Sequence, residues 1–150
     1  MRRIPPLRRL SREHHTGLVL AKRARAAAAG PAPVQAAAWA ELRARFDAEL
    51  APHFALEEQG LLAAMAAAGE TALVARTLAE HAALRELIAA EQPAHLATFS
   101  DLLTAHIRFE EAELFAAAQR VLDAPTLARL AELHAAAPAP RCALRLPLVP

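Results

Sequence analysis

Tyrosine is absent from this 150-residue chain, cysteine occurs once and glycine occurs four times. The lone Cys142 can form neither an intrachain disulfide nor a Cys-x-x-Cys metal site. Few glycines, together with abundant alanine and leucine, argue against a β-rich fold and favour helix. The formal net charge of +1 gives no general attraction to nucleic acid. The length is that of a single domain, whose chemistry must come from residues other than thiols and phenols.

Long uncharged apolar runs are also missing from the chain. No segment approaches the roughly 18 apolar residues that suggest a transmembrane helix. The N-terminus is basic, but no uncharged apolar stretch follows it, so we expect no secretory signal and a cytoplasmic location. We interpret the N-terminal arginines as solvated helix surface rather than as a nucleic-acid-binding arm: Arg2, Arg3, Arg8, Arg9 and Arg12.

Proline and glycine divide the chain into four long helical stretches and a short fifth one. The predicted helices span residues 7–28, 34–67, 71–90, 95–122 and 126–136. Because short connections make consecutive helices antiparallel, this pattern predicts an all-α fold, an up-down-up-down four-helix bundle with a short C-terminal fifth helix. We assign residues 1–137 to the bundle and residues 138–150 to an irregular Pro-rich tail.

The strongest signal is a pattern that occurs twice, 53 residues apart. Residues 53–64 read HFALEEQGLLAA and residues 106–117 read HIRFEEAELFAA, with six of twelve positions identical. Each copy places a histidine four residues before a glutamate, His53 before Glu57 and His106 before Glu110, and residues four apart share one helix face. Two such His/Glu pairs facing each other in a bundle could hold one or two transition-metal ions.

The other two long helices each add a histidine to this candidate metal site. In the first helix His14 lies on the stripe of small and apolar residues, which favours it, and the adjacent His15 stays open as the alternative. In the third helix His81 lies at helical spacing from apolar neighbours. Six nitrogen and oxygen ligands without a thiolate suit iron or manganese, with zinc possible, and two carboxylates able to bridge favour a two-metal centre. The candidate ligands are His14 or His15, His53, Glu57, His81, His106 and Glu110.

Three residues outside this set carry expectations of their own. Pro52 lies inside the predicted second helix and directly before His53, so it either kinks the helix and aims the imidazole inward or breaks the helix into two parts. His95 and His134 are expected at the surface.

The segments REHHTGL, ELAPHFALEEQGLL, AEHAALREL and AHIRFEEAELF follow one another over residues 10–120. With these motifs the chain resembles the haemerythrin-like, or HHE cation-binding, domains. The resemblance implies a four-helix bundle with a non-haem di-iron centre in its core, in which Glu57 and Glu110 are bridging carboxylates. It implies the remaining ligands at His53, His81 and His106, and at either His14 or His15.

The chain departs from the oxygen-carrying haemerythrins in the third helix. Those proteins have a second histidine one turn from the third-helix histidine, and here the two candidate positions are Thr77 and Arg85. They also have an acidic residue five positions after the fourth-helix histidine, which here is Glu111. Glu110 and Glu111 therefore compete, and we favour Glu110 because its spacing matches the other copy. A site one histidine short leaves an additional open coordination position.

Three functions are compatible with such a site. The first is a protein that binds or senses O2 or NO, or that handles iron. The second is a redox enzyme that reduces peroxide or O2 or repairs iron centres. The third is a structural or regulatory bundle stapled by metal. No general acid/base pair, nucleophile or substrate motif is evident, so we favour the small-ligand binding protein over the enzyme, with neither nucleic acid nor a membrane as its partner.

Overall fold

The computed structural model describes residues 3–138, and within this range the chain forms five helices joined by short turns. The first helix is Pro5–Ala28, the second covers residues 32–67, the third is Thr71–Ala89, the fourth covers residues 96–121 and the fifth is Ala124–Ala136. These limits lie within two residues of the predicted ones. The all-α bundle with a short fifth helix is therefore confirmed. The predicted tail beyond Pro138, with Cys142, lies outside the described residues.

The second and fourth helices are not uniform α-helices. Each contains a π-helical turn that begins at the glutamate of its His-x-x-x-Glu pair, Glu57–Leu62 in the second and Glu110–Leu114 in the fourth. Turns of this kind are rare and occur frequently at functional sites. The α-helical parts are Ala32–Arg45, Ala51–Leu56 and Ala63–Ala67 in the second helix, and Leu96–Phe109 and Phe115–Val121 in the fourth, after a 3-10 turn at Pro93–His95.

Pro52 does not break the second helix. A further π-helical turn, Phe46–Leu50, precedes it, and the backbone N–H of Ala51 donates to the carbonyl of Phe46, five residues earlier. Leu50 and Ala51 keep helical backbone angles on the way into the next α-helical segment. Because proline has no N–H and its ring crowds the preceding turn, the wider turn accommodates it without ending the helix.

Two apolar clusters fill the bundle, one on each side of the central histidines and glutamates. One cluster contains residues that follow His14 in the first helix, precede His53 in the second and precede His106 in the fourth, including Leu20, Trp39, Phe46 and Phe99. The other contains residues on the opposite side of the same positions, including Leu7, Leu10, Leu61, Met65, Leu114 and Phe115. The polar centre is thus closed off from both ends of the bundle by apolar side chains.

The fifth helix packs on the first and second helices. Gly60 makes the close approach possible, because a Cβ added there would lie 2.6 Å from Leu133 Cδ2. His134 is buried and its Nδ1–H donates to the Pro6 carbonyl at 2.7 Å, so the expectation that it lies at the surface is wrong. His95 is half-buried. None of the described helices is both long enough and apolar enough to cross a membrane.

Candidate metal centre

The four long helices bring six ionisable side chains together in the middle of the bundle. The first and third helices each contribute one histidine, and the second and fourth each contribute a histidine and a glutamate. None of the six is more than 4% exposed. The residues are His14, His53, Glu57, His81, His106 and Glu110.

The two oxygens of the Glu57 carboxylate face histidines on opposite sides of the cluster. Its Oε1 lies 3.2 Å from His53 Nε2 and 3.7 Å from His14 Nε2. Its Oε2 lies 3.4 Å from His81 Nε2, on the other side. One carboxylate therefore faces the first and second helices with one oxygen and the third helix with the other.

Glu110 repeats this arrangement from the opposite helix. Its Oε2 lies 3.0 Å from His14 Nε2, whereas its Oε1 lies 3.4 Å from His106 Nε2 and 3.8 Å from His81 Nε2. Two groups of four result, each with ligand atoms within 4.8 Å of one another. The first group is His14, His53, Glu57 and Glu110, and the second group is His81, His106, Glu57 and Glu110.

The inward-facing atoms of this cluster lack hydrogen-bond partners among residues 3–138. These atoms are the Nε2 of all four histidines and both carboxylate oxygens of Glu57 and Glu110. Some of them approach one another closely, but without hydrogen-bond geometry. Buried polar atoms are nearly always satisfied, and buried carboxylates without a partner are costly. Nitrogen and oxygen atoms that converge without a thiolate fit a cation such as iron, manganese or zinc.

The outward-facing nitrogen of each imidazole pairs with a second carboxylate. The Nδ1–H groups donate at 2.7–2.8 Å to glutamates that lie beside the central cluster. An Nδ1–H donor of this kind turns the Nε2 lone pair inward and orients the ring, as carboxylates commonly do for metal-bound histidine. The pairs are His14 with Glu111, His53 with Glu13, His81 with Glu58, and His106 with Glu80.

Each of these outer glutamates is in turn held by an arginine. The contacts are Arg3 with Glu111 at 2.8 Å, Arg9 with Glu13 at 2.8 Å, Arg85 with Glu58 at 2.8 Å, and Arg76 with Glu80 at 2.9 Å. We call each such combination an Arg–Glu–His set. The interpretation of the N-terminal arginines as solvated surface is therefore wrong for Arg3 and Arg9, whose side chains are at most 20% exposed.

A second sequence repeat contains the arginine and the glutamate of two of these sets. Arg9, Glu13 and His14 form the pattern R-x-x-x-E-H, and it recurs 67 residues later as Arg76, Glu80 and His81. Within each copy the arginine and glutamate pair at i,i+4, while the glutamate reaches the histidine of the following helix. The outer glutamates at 58 and 111 are the second acidic residue of each H-x-x-x-E-E copy. Both patterns were visible in the sequence.

The alternatives left open by the sequence take distinct places in the structure. His15 is exposed and belongs to neither group of four, whereas His14 belongs to the first. Glu111 lies at Nδ1 of His14 and not among the inward-facing atoms. Thr77 is fully buried and its hydroxyl donates to the Leu73 carbonyl at 2.9 Å.

The charges of the cluster shift the pKa of several members. Burial lowers the pKa of His14, but the Glu110 carboxylate and its neighbours raise it more, so it stands well above its ordinary value. Burial also opposes the charge on His53, yet the nearby Glu57 raises the pKa of this imidazole to about 9. In Glu57 burial is outweighed by the histidines, and the pKa of its carboxyl falls well below the ordinary value. A cation entering here must displace protons.

Most of the chain is similar to a known protein family. A family model described as "Hemerythrin HHE cation binding domain" matches residues 5–118. This range includes all six residues of the central cluster. Searches of the curated proteins and of the solved structures found no match.

Proposed function

Because the chain belongs to the haemerythrin HHE cation-binding family, we propose that it is a non-haem di-iron protein that binds or senses O2 or NO, or handles iron. One observation carries the proposal. Glu57 and Glu110 each direct one oxygen towards the histidines of the first two helices and the other towards the histidines of the third and fourth helices. A carboxylate in that position can join two ions. The buried cluster thus fits two cations better than one.

The proposed ligands follow from the two groups of four. His14 and His53 would hold one ion, and His81 and His106 would hold the other, with both carboxylates shared. Each ion would then have two nitrogen and two oxygen donors from the chain. Non-haem iron commonly keeps positions open beyond its protein ligands. When bound, the metal would supply those open positions to a small diatomic ligand such as O2 or NO.

The surroundings of the cluster favour a small ligand. Phe54 stacks on His81 at 3.9 Å between ring centroids, and Phe115 stacks on His14 at 5.2 Å. Apolar layers lie on both sides of the centre. Such a hydrophobic shell limits access of water to a metal site and tunes its redox potential. A diatomic molecule suits this enclosure better than a large polar substrate does.

Metal content together with an absorption spectrum tests the proposal. Protein loaded anaerobically with Fe(II) should contain about two irons per chain, and exposure to air or NO should produce new visible absorption bands. Zn(II)-loaded protein serves as the control, since zinc has no redox chemistry and should give no such bands. Iron at well under two per chain would contradict the proposal and favour the metal-stapled bundle, whereas two irons that respond to neither gas would rule out binding or sensing of O2 or NO.

A further inference from the structure

We propose that Glu13, Glu58, Glu80 and Glu111 are positioning residues that form a closed ring around the metal centre. In this ring each long helix supplies the carboxylate that orients the histidine of the next helix. The inference deepens the proposed function and rests on it. Its specific content is that the four imidazoles are aimed before any metal arrives, each by a carboxylate from a neighbouring helix.

The ring has one hydrogen bond between each long helix and the next, and one between the fourth and the first. Glu13 of the first helix accepts from His53 of the second, and Glu58 of the second accepts from His81 of the third. The ring continues from Glu80 of the third helix to His106 of the fourth, and it closes from Glu111 of the fourth helix to His14 of the first. The four donor–acceptor distances are 2.7–2.8 Å, so all four hydrogen bonds are similarly short.

Arginines hold the carboxylates of the ring in place. In Glu13 and Glu80 one carboxylate oxygen accepts from the arginine and the other accepts from the imidazole, so the carboxylate is fixed at both ends. Charge-assisted hydrogen bonds of this type are stronger than neutral ones and more directional. Each arginine also compensates the charge of a partly buried carboxylate. The geometry of Nε2 is thus determined by contacts within the chain.

The chain contains a matched control for this role. Arg45 and Glu49 form an i,i+4 ion pair at 2.9 Å, with side chains 15% and 12% exposed. Arg9 and Glu13 form one at 2.8 Å, with side chains 20% and 15% exposed. The two pairs share spacing, distance and burial, but only Glu13 is hydrogen-bonded to a histidine. Comparing Glu13→Ala with Glu49→Ala therefore separates positioning of an imidazole from the general stability of an ion pair.

The first measurement uses metal-free protein and nuclear magnetic resonance of the imidazole N–H groups. In the parent protein, the Nδ1–H protons of the four central histidines should be protected from exchange with solvent, in addition to that of the buried His134, which donates to the Pro6 carbonyl and serves as an internal reference. Glu13→Ala should remove the protected proton of His53 only, Glu80→Ala should remove that of His106 only, and Glu49→Ala should remove none. This readout responds to the hydrogen bond whether or not the ring carries an additional proton.

The second measurement is the affinity for Fe(II), determined anaerobically by competition with a chromophoric chelator. Glu13→Ala and Glu80→Ala should each weaken binding about 10- to 100-fold, as loss of an outer partner of a metal ligand typically does. Glu13→Gln and Glu80→Gln should recover part of the loss, because an amide oxygen still accepts from Nδ1–H. Glu49→Ala should bind like the parent. The glutamine variants also guard against a folding defect in the alanine variants.

The outcomes separate this inference from the proposed function. If the parent binds two irons and the Glu13 and Glu80 variants bind as tightly as Glu49→Ala, the ring plays no positioning role. Absence of protected Nδ1–H protons on His14, His53, His81 and His106 in the parent would overturn the ring as well. If the parent shows those protons but binds no iron, the proposed function fails, and the ring is then a structural network without a metal to position.

Discussion

The half of the bundle made by the first and second helices and the half made by the third and fourth are built from the same two patterns. R-x-x-x-E-H occurs in the first and third helices, and H-x-x-x-E-E occurs in the second and fourth. The equivalent positions make equivalent contacts, since Arg9 holds Glu13 as Arg76 holds Glu80. The halves differ in the arginine that holds the other outer glutamate. Arg85 lies on the third helix one turn after His81, whereas Arg3 precedes the first helix.

These two arginines reach the same arrangement from unrelated positions. Arg85 lies 5.6 Å from the ring centre of Phe54, the ring that stacks on His81. Arg3 lies 5.4 Å from the ring centre of Phe115, the ring that stacks on His14. An arginine that holds a glutamate and also contacts an aromatic ring therefore recurs without any repeat in the sequence. The contacts around the imidazoles are therefore similar in the two halves even where the sequence is not repeated.

Removing Glu57 or Glu110 should weaken metal binding in both halves of the bundle at once. Glu57→Ala and Glu110→Ala each delete an oxygen donor from both groups of four, so each variant should lose most of both metal ions. Metal content after anaerobic loading and desalting measures the effect. Glu113→Ala on the fourth helix is the control, because its side chain is 57% exposed and belongs to neither group. Two ions retained in either shared-carboxylate variant would contradict the bridging assignment.

Removing one histidine should damage one half and spare the other. His14→Ala deletes a donor from the first group only and His81→Ala deletes one from the second group only, so each variant should retain about one ion per chain under stoichiometric loading. His15→Ala is the control, because that side chain is exposed, and it should keep the parent's content. A loss in His15→Ala matching that in His14→Ala would show that the first helix is oriented differently around the site.

The smallest effect that we expect is a pH dependence of the stability of metal-free protein. Because the folded pKa of His53 is raised to about 9, its stabilisation of metal-free protein is complete below the ordinary pKa of about 6.5 and is lost as pH rises through about 9. His14 acts in the same direction. The pKa of His134 is lowered, chiefly by burial, so this group acts in the opposite direction and at lower pH. The melting temperature of metal-free protein should therefore fall between these two pH values.

Metal-loaded protein should not show this fall. A cation needs neutral imidazoles, so metal binding strengthens as pH rises over the same window. Thermal melts of metal-free and Zn(II)-loaded protein in the same buffers measure both slopes. Parallel slopes in the two forms would mean that the imidazoles are not the groups that exchange protons for metal.

The sequence predicted the helices closely because proline and glycine mark their ends and apolar periodicity marks their buried faces. It did not predict the π-helical turns at Glu57 and Glu110, because one additional residue in a helical turn leaves no compositional trace. The inward histidine of the first helix was only favoured, since His14 and His15 are adjacent and both near the apolar stripe. The family resemblance suggested which residue types would meet, and the structure gives the distances at which they do.

The role of the arginines in the Arg–Glu–His sets was not predicted from the sequence, for a different physical reason. Arg3 and Glu111 are 108 residues apart, so no local periodicity connects them. Arg9 and Glu13 do stand at i,i+4, but this spacing is also common on solvated helix surfaces, where ion pairs contribute little. Only the three-dimensional structure shows that the same glutamate has a buried imidazole on its other side. The signal was the recurrence of R-x-x-x-E-H, not the single copy.

The burial of the imidazoles has a consequence for how quickly the protein can acquire its metal. Since His14, His53, His81 and His106 are at most 4% exposed, we expect a hydrated ion to reach the Nε2 atoms only after side chains or helices move. Loading should then depend on local opening of the bundle, which proteins undergo at a rate of their own. The observed rate should rise with metal concentration and then reach a plateau equal to the opening rate. The same burial should make release slow, so that the residence time of a bound ion would be set by the motions of the helices.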